Sequence, residues 1–179
     1  CEWPKMRVAI VPVTEDWGTV SLSGPRAREI LSKLSSDIDL SPAACPHLCM
    51  REGSLLGCPA RIYRVSFTGE VTYEINVPTG CAPELWEELM NVGRSAGIQP
   101  LGMDALLLVR LEKGFLHTGT DTDGTTVPDD VGWGKVAASK QRDYIGKRSL
   151  SLPANLRPDR PQLVGLSGAP DNPFVNRRH

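Results

Sequence analysis

Between Tyr63 and Pro78, apolar and polar residues alternate with a period of two. Tyr63, Val65 and Phe67 form one run, and Val71, Tyr73, Ile75 and Val77 form the next. Alternation of β-branched and aromatic residues with polar ones predicts two half-buried strands. Thr68-Gly69-Glu70 joins them, and Gly69 supplies the positive φ that a tight hairpin loop needs. Thr72, Glu74 and Asn76 share the opposite face of the second strand. On a solvated edge such a face is ordinary, so spacing alone leaves Glu74 as a surface carboxylate. Loop length decides which side chains meet. A three-residue loop at 68–70 pairs Phe67 with Val71 and turns Phe67 away from Glu74. An even loop pairs Phe67 with Thr72 and puts both on one side.

The same periodicities order the rest of the chain. Arg7–Val13 and Thr19–Ser23 read as strands. Ser23-Gly24-Pro25 opens a helix whose stripe is Ala27, Ile30, Leu31 and Leu34, with Arg26, Arg28, Glu29 and Lys33 on the polar side. Asp37–Gly53, rich in Pro and Cys, reads as a connection, and Ser54–Phe67 returns to strand character. Ala82-Pro83-Glu84 starts a second helix with Leu85, Trp86, Leu89 and Met90 on its apolar side and Gly97 as C-cap. A third helix is predicted over Ala105–Lys113, capped by Asp104 and ended by Gly114. Its centre, Ala105-Leu-Leu-Leu-Val109, is apolar all round, which predicts a buried helix. The class is α+β, with antiparallel or mixed sheets and packed helices. Pro153, Pro158, Pro161, Pro170 and Pro173 punctuate a polar tail, so residues 153–179 read as a linker and the start of another module, after a domain over residues 1–152.

Composition removes several function classes. The 179 residues carry a net charge of −1, with no basic excess to attract nucleic acid or an anionic membrane. The longest apolar run is far too short to span a bilayer. The opening at Cys1, without Met, reads as a piece of a longer polypeptide. Five irregularly spaced cysteines (Cys1, Cys45, Cys49, Cys58 and Cys81) do not make a disulfide framework and favour a reducing, cytoplasmic setting. Cys45-Pro-His47-Leu-Cys49 with Cys58 matches no common zinc spacing, so no metal site is assigned. Gly132-Trp-Gly134-Lys-Val-Ala137 fits a relaxed dinucleotide fingerprint, but it follows Pro128-Asp129-Asp130 instead of an apolar strand. Asp121-x-Asp123-Gly124 lacks the Glu that completes a calcium loop. His47, His117 and His179 have no nucleophile in a recognisable pattern, so no catalytic residue is assigned.

Four segments, in order, carry a family resemblance. Leu22-Ser-Gly24-Pro25-Arg26-Ala27, Phe67-Thr-Gly-Glu-Val-Thr-Tyr-Glu74-Ile, Arg110-Leu-Glu112-Lys-Gly114-Phe115 with Gly119-Thr-Asp121-Thr-Asp123, and Asp143-Tyr-Ile-Gly-Lys147 together resemble the folate-binding aminomethyltransferase (glycine-cleavage T-protein) family. Within it, Asp37-Ile-Asp-Leu-Ser-Pro42, Arg51-Glu-Gly53 and Arg157-Pro-Asp-Arg160 are similar to the α-subunit branch of heterotetrameric sarcosine oxidases. The resemblance implies an oxidoreductase parent in one-carbon metabolism. That parent demethylates sarcosine to glycine, with flavin and NAD bound outside this chain, and other subunits as partners. The one-carbon unit passes to tetrahydrofolate as 5,10-methylenetetrahydrofolate.

Residue by residue, Glu74 matches the glutamate that hydrogen-bonds the pterin, since a carboxylate accepts two parallel N–H bonds from an amino-pyrimidinone edge. Phe67 and Phe115 match aromatic positions lining the folate pocket, and Tyr73 lies beside Glu74 in the same motif. If Phe67 and Glu74 both line the pocket, the loop is even, bulged, or leaves Phe67 outside the ladder. The T-protein arginine ahead of Arg-Leu-Glu aligns with Leu106, as in the sarcosine-oxidase branch. The family's catalytic aspartate is expected upstream of Cys1, leaving this chain with part of a folate site and no activity of its own. The alternatives are a fragment of a dimethylglycine-dehydrogenase or glycine-cleavage aminomethyltransferase, or a structural module that binds no ligand and serves subunit assembly.

Overall fold

The alternating run through Tyr73, Ile75 and Val77 forms β4 (Thr72–Pro78). It lies inside a four-stranded antiparallel sheet with β1 (Trp17–Ser23), β2 (Met50–Leu55) and β3 (Cys58–Tyr63), in the order β1-β4-β3-β2. The computed structural model describes residues 5–166. They fall in two units, one ending at Phe115 and the other beginning at Leu116. The sheet belongs to the first unit, with α1 (Ala27–Leu31), α2 (Ala82–Gly93) and α3 (Met103–Lys113).

Register follows the hydrophobic pattern. Val20 stands opposite Ile75 and Leu22 opposite Tyr73, while Ile62 stands opposite Ile75 from the other side. Directly paired residues share a face. Leu22, Ile62, Tyr73, Ile75 and Val77 are buried together against Ala27, Ile30 and Leu31 of α1 and Leu85 and Leu89 of α2. The predicted stripe Ala27, Ile30, Leu31 and Leu34 is buried in full. Trp86, expected on the apolar side of α2, is 46% exposed. Gly97 and Gly114 end their helical segments at φ +78 and +79, where a side chain would be strained.

Several expected elements differ. Arg7–Val13 joins no ladder among the described residues, and Ile10 is 91% exposed; β-branched composition without a neighbouring strand does not make a sheet. The connection expected over 37–53 ends early. Met50–Leu55 is already β2, folded against β3 through Leu56-Gly57, both at positive φ. Gly53 permits this, because a Cβ there would collide with Asp37 and Ile38. The tight hairpin around Gly69 is replaced by a longer loop. Pairing of β3 with β4 begins at Tyr63 opposite Glu74, and residues 64–71 take no part in it. Gly69 does take the positive φ, at +86. Helix α3 is less covered than its composition suggests, since Leu108 and Leu111 are more than half exposed and Arg110 is its buried residue. Cys58 and Cys81 form a disulfide, a pairing that the irregular cysteine spacing did not suggest.

In the second unit, the polar loop is closed by Asp130. Its carboxylate accepts from the Val127 amide (2.9 Å) and from Arg160 Nε (2.8 Å), while Arg160 Nη2 also donates to the Thr125 carbonyl (2.7 Å). The Leu163 amide donates to the Asp130 carbonyl at 2.7 Å. Residues 157–163 are thus fastened to the loop they follow. The end of the proline-punctuated tail, beyond residue 166, lies outside the described residues, as do Cys1 and His179. No helix among the described residues is long and apolar enough to cross a membrane.

Candidate functional site

A cleft of about 660 Å³ runs along β1 in the first unit. Its polar wall includes Thr19 and two cross-strand pairs, Ser21 with Glu74 and Ser23 with Thr72. These residues lie on the sheet face opposite the core, because their neighbours Val20, Leu22, Tyr73 and Ile75 point the other way. Thr19 Oγ1 donates to Asn76 Oδ1 at 2.7 Å. The apolar wall includes Trp86, Leu89, Met90, Ile98, Leu101 and Leu106.

A hydroxyl cluster carries the 64–71 loop to this cleft. Ser23 Oγ lies 2.7 Å from Thr68 Oγ1 and 2.8 Å from Thr72 Oγ1, and Ser66 Oγ lies 3.3 Å from Thr72 Oγ1. The loop also satisfies its own backbone. The Gly69 amide donates to Ser66 Oγ (2.9 Å), the Glu70 amide to Thr68 Oγ1 (3.3 Å), and the Gly24 amide to the Val71 carbonyl (2.9 Å). Thr68 is buried in consequence, and Phe67 beside it is delivered half-buried to the cleft.

Phe67 and Glu74 therefore meet in one cavity, with Phe67 outside the ladder, one of the arrangements that lets both reach it. Tyr73 does not join them. It is fully buried on the opposite face, where its hydroxyl accepts from Arg28 Nε at 2.6 Å and its ring lies 5.4 Å from the Arg64 guanidinium. Its inclusion with Glu74 is corrected by the pleat, since adjacent residues in a strand face opposite ways. Phe115 is also absent from the cleft lining. It is half-buried at the end of the first unit, with its carbonyl accepting from Arg110 Nη1 at 3.1 Å. Leu106, the position that the resemblance aligns with an arginine, does line the cleft.

Glu74 is the chemically distinctive member. It is half-buried in the cleft wall, yet its carboxylate makes no hydrogen bond or ion pair with any described residue. A carboxylate with no partner among the described residues keeps its acceptor oxygens available to a donor from a ligand. Hydroxyls, a free carboxylate and an aromatic ring suit a planar ligand with an N–H edge. Sequence reading missed Ser21, Ser23 and Thr68. Their signal lies in the β1–β4 pairing, which separates partners by some fifty residues. No group of three or more His, Cys, Asp or Glu among the described residues is placed to hold a metal ion.

Comparison with known proteins adds the decisive observation: the model of the GCVT N-terminal domain matches residues 2–141. The chain belongs to that family. This GCVT-type domain is 40% identical over 166 residues to the sarcosine oxidase subunit alpha of Corynebacterium sp. (strain U-96), covering 92% of this chain and 17% of that protein. It is 33% identical over 144 residues to the aminomethyltransferase of Halothermothrix orenii, covering 80% of this chain and 40% of that protein. It is 34% identical over 144 residues to the mitochondrial dimethylglycine dehydrogenase of Mus musculus, covering 80% and 16% respectively. The chain thus spans about a sixth of the sarcosine oxidase subunit it matches, and is an aminomethyltransferase-like module of α+β class.

Proposed function

We propose that this chain is the folate-binding part of a sarcosine-oxidase-type α subunit. The observation that carries the reading is Glu74, a half-buried carboxylate with no partner among the described residues, sharing a cleft of about 660 Å³ with Phe67. The residues fit a pterin. Glu74 accepts two N–H bonds from the amino-pyrimidinone edge, Phe67 packs against a flat ring, and the Ser23, Thr68 and Thr72 hydroxyls hold the loop that carries Phe67. Tetrahydrofolate would supply the nitrogens that accept a one-carbon unit. The chain's own residues bind and orient it and narrow its access to water. The parent would demethylate sarcosine to glycine, with its flavin, NAD and other subunits outside this chain, in a cytoplasmic one-carbon pathway.

The family domain is read as running to about residue 152, with a connection toward a further module after it. The greater identity to the sarcosine oxidase subunit than to the aminomethyltransferase and dimethylglycine dehydrogenase relatives favours the sarcosine branch. A ligand-free assembly module would leave Glu74 flat on a solvated face, and its half-buried position in a cleft speaks against that.

The test is calorimetric titration of tetrahydrofolate into the chain, or into the full-length α subunit if this chain alone does not bind, with Glu74→Gln as comparison. Loss of a charged acceptor costs about 1.5–3 kcal/mol, tenfold or more in affinity. Saturable binding that Glu74→Gln leaves unchanged refutes the role of Glu74.

A further inference from the structure

Away from the cleft, two cysteines stand close enough to react. The geometry points to Cys45 and Cys49 as a redox-active dithiol, closed to a second disulfide by a low-molecular-weight disulfide and reopened by thiols. Their sulfurs lie 3.4 Å apart, with Cys49 Sγ–H directed at Cys45 Sγ, and neither is bonded elsewhere. A disulfide needs about 2.05 Å between sulfurs, so closure takes a shift of little more than an ångström.

The local backbone holds the pair together. The Cys45 amide donates to the Ser41 carbonyl at 2.8 Å, Pro46 stiffens the turn, and Leu48 adopts a left-handed φ of +64. A non-glycine residue in that region persists only where its surroundings enforce it. Here the enforcement is visible: the Leu48 amide donates to the Arg64 carbonyl, and the Arg64 amide to the Cys49 carbonyl, each at 2.9 Å. The turn therefore continues the β2–β3 pairing to Arg64, where the Phe67-bearing loop begins.

The two thiols are unequal, as a reactive pair requires. Cys49 is half-buried and open to a small reagent, whereas Cys45 is fully buried. Burial, with Cys49 beside it, pushes the Cys45 thiol up to about 11, which makes it a poor first nucleophile. Cys49 as thiolate attacks one sulfur of the small disulfide. The bond between that reagent's sulfurs breaks, a Cys49 mixed disulfide forms, and one thiolate leaves and takes a proton from water. Cys45 then loses its proton to water and attacks the Cys49 sulfur, displacing the second thiolate. Two cysteine thiols are oxidised and one small disulfide is reduced to two thiols.

The experiment uses the whole chain, equilibrated without air against glutathione and glutathione disulfide in varied ratio, then acid-quenched, alkylated and mapped by mass spectrometry. A Cys45–Cys49 peptide two hydrogens lighter should grow as the disulfide fraction rises and vanish on return to glutathione. Cys45→Ser should accumulate glutathione on Cys49, and Cys49→Ser should leave Cys45 unmodified. Two cysteines that remain fully alkylatable at the oxidising end overturn the proposal, as does a Cys45→Ser protein that takes no glutathione at Cys49. Amide exchange at Leu48 and Arg64 should slow on oxidation. Unchanged exchange refutes the tightening of the turn, even if the bond forms.

Discussion

Tyr73 and Glu74 are neighbours in β4 that face opposite ways, so minimal changes at the two should separate stability from recognition. Tyr73→Phe keeps the ring in the core and removes only the hydroxyl that accepts Arg28 Nε at 2.6 Å. Arg28 is half-buried, and its Nη2 contact with the Cys45 carbonyl is long at 3.4 Å, too weak to compensate. A hydrogen bond to a charged group contributes about 1.5–3 kcal/mol, and the shielded donor left behind puts the loss toward the upper end. In a chain of this length each kcal/mol moves Tm by about 2–4 °C, so Tyr73→Phe should melt roughly 3–12 °C lower. Glu74→Gln removes no partner among the described residues and should shift stability by no more than about 0.5 kcal/mol. Thermal unfolding followed by circular dichroism, at one pH and in the absence of folate, compares the two with the unaltered chain. A neutral Tyr73→Phe beside a destabilised Glu74→Gln would refute the assignment of faces. It would mean that β4 is paired one residue out of register, since a single slip exchanges core and cleft along the whole strand.

Other consequences follow from single contacts. The Arg160 guanidinium, helped by the Val127 amide, holds the Asp130 carboxyl down to about 2, against an ordinary 3.8. Because the folded value is the lower one, this contribution is complete above the ordinary value and is lost as pH falls through 3.8 toward about 2. Acid unfolding of the second unit should therefore flatten over that window in Asp130→Asn, and a curve with unaltered slope would remove the pair from the acid response. Opening the Cys58–Cys81 bond, by Cys58→Ser, should cost about 2–4 kcal/mol because it frees a 23-residue separation in the unfolded chain. Denaturant unfolding with and without the substitution measures it, and equal midpoints would show that the bond constrains nothing. Gly53→Ala should cost about 1–3 kcal/mol, since the new methyl meets Asp37 and Ile38 and Asp37 Oδ1 is held by the Ser54 amide at 2.6 Å. A neutral Gly53→Ala in the same assay would show that the 37–38 segment moves aside freely.

The α1 stripe and β4 were legible in the sequence because each states its period in residues close together. Ala27, Ile30 and Leu31 need only a helix, and Tyr73, Ile75 and Val77 need only a strand, to reach the same core, which Leu34 joins from the turn after α1. Arg7–Val13 and α3 show the limit of that logic. Their composition says that apolar surface exists but not which neighbour covers it, and in the described residues much of it stays exposed. The 64–71 loop fails for another reason. Val65 and Phe67 have the right period for a strand, but Ser66 and Thr68 offer the backbone a competing set of partners, and the Gly69 and Glu70 amides take them. That local competition is what frees Phe67 from strand parity. Had the ladder run regularly through a three-residue hairpin, Phe67 would have faced away from Glu74. The hydroxyls of Ser23, Thr68 and Thr72 draw the released loop back onto β1 and β4, so the meeting of Phe67 with Glu74 depends on three side chains whose partners lie up to 49 residues apart. Replacing Ser23 by alanine should accordingly loosen Phe67 while leaving the Tyr73 core intact. Faster amide exchange in residues 66–71 with little change in Tm would show it, and a large fall in Tm would place Ser23 in the core's support instead.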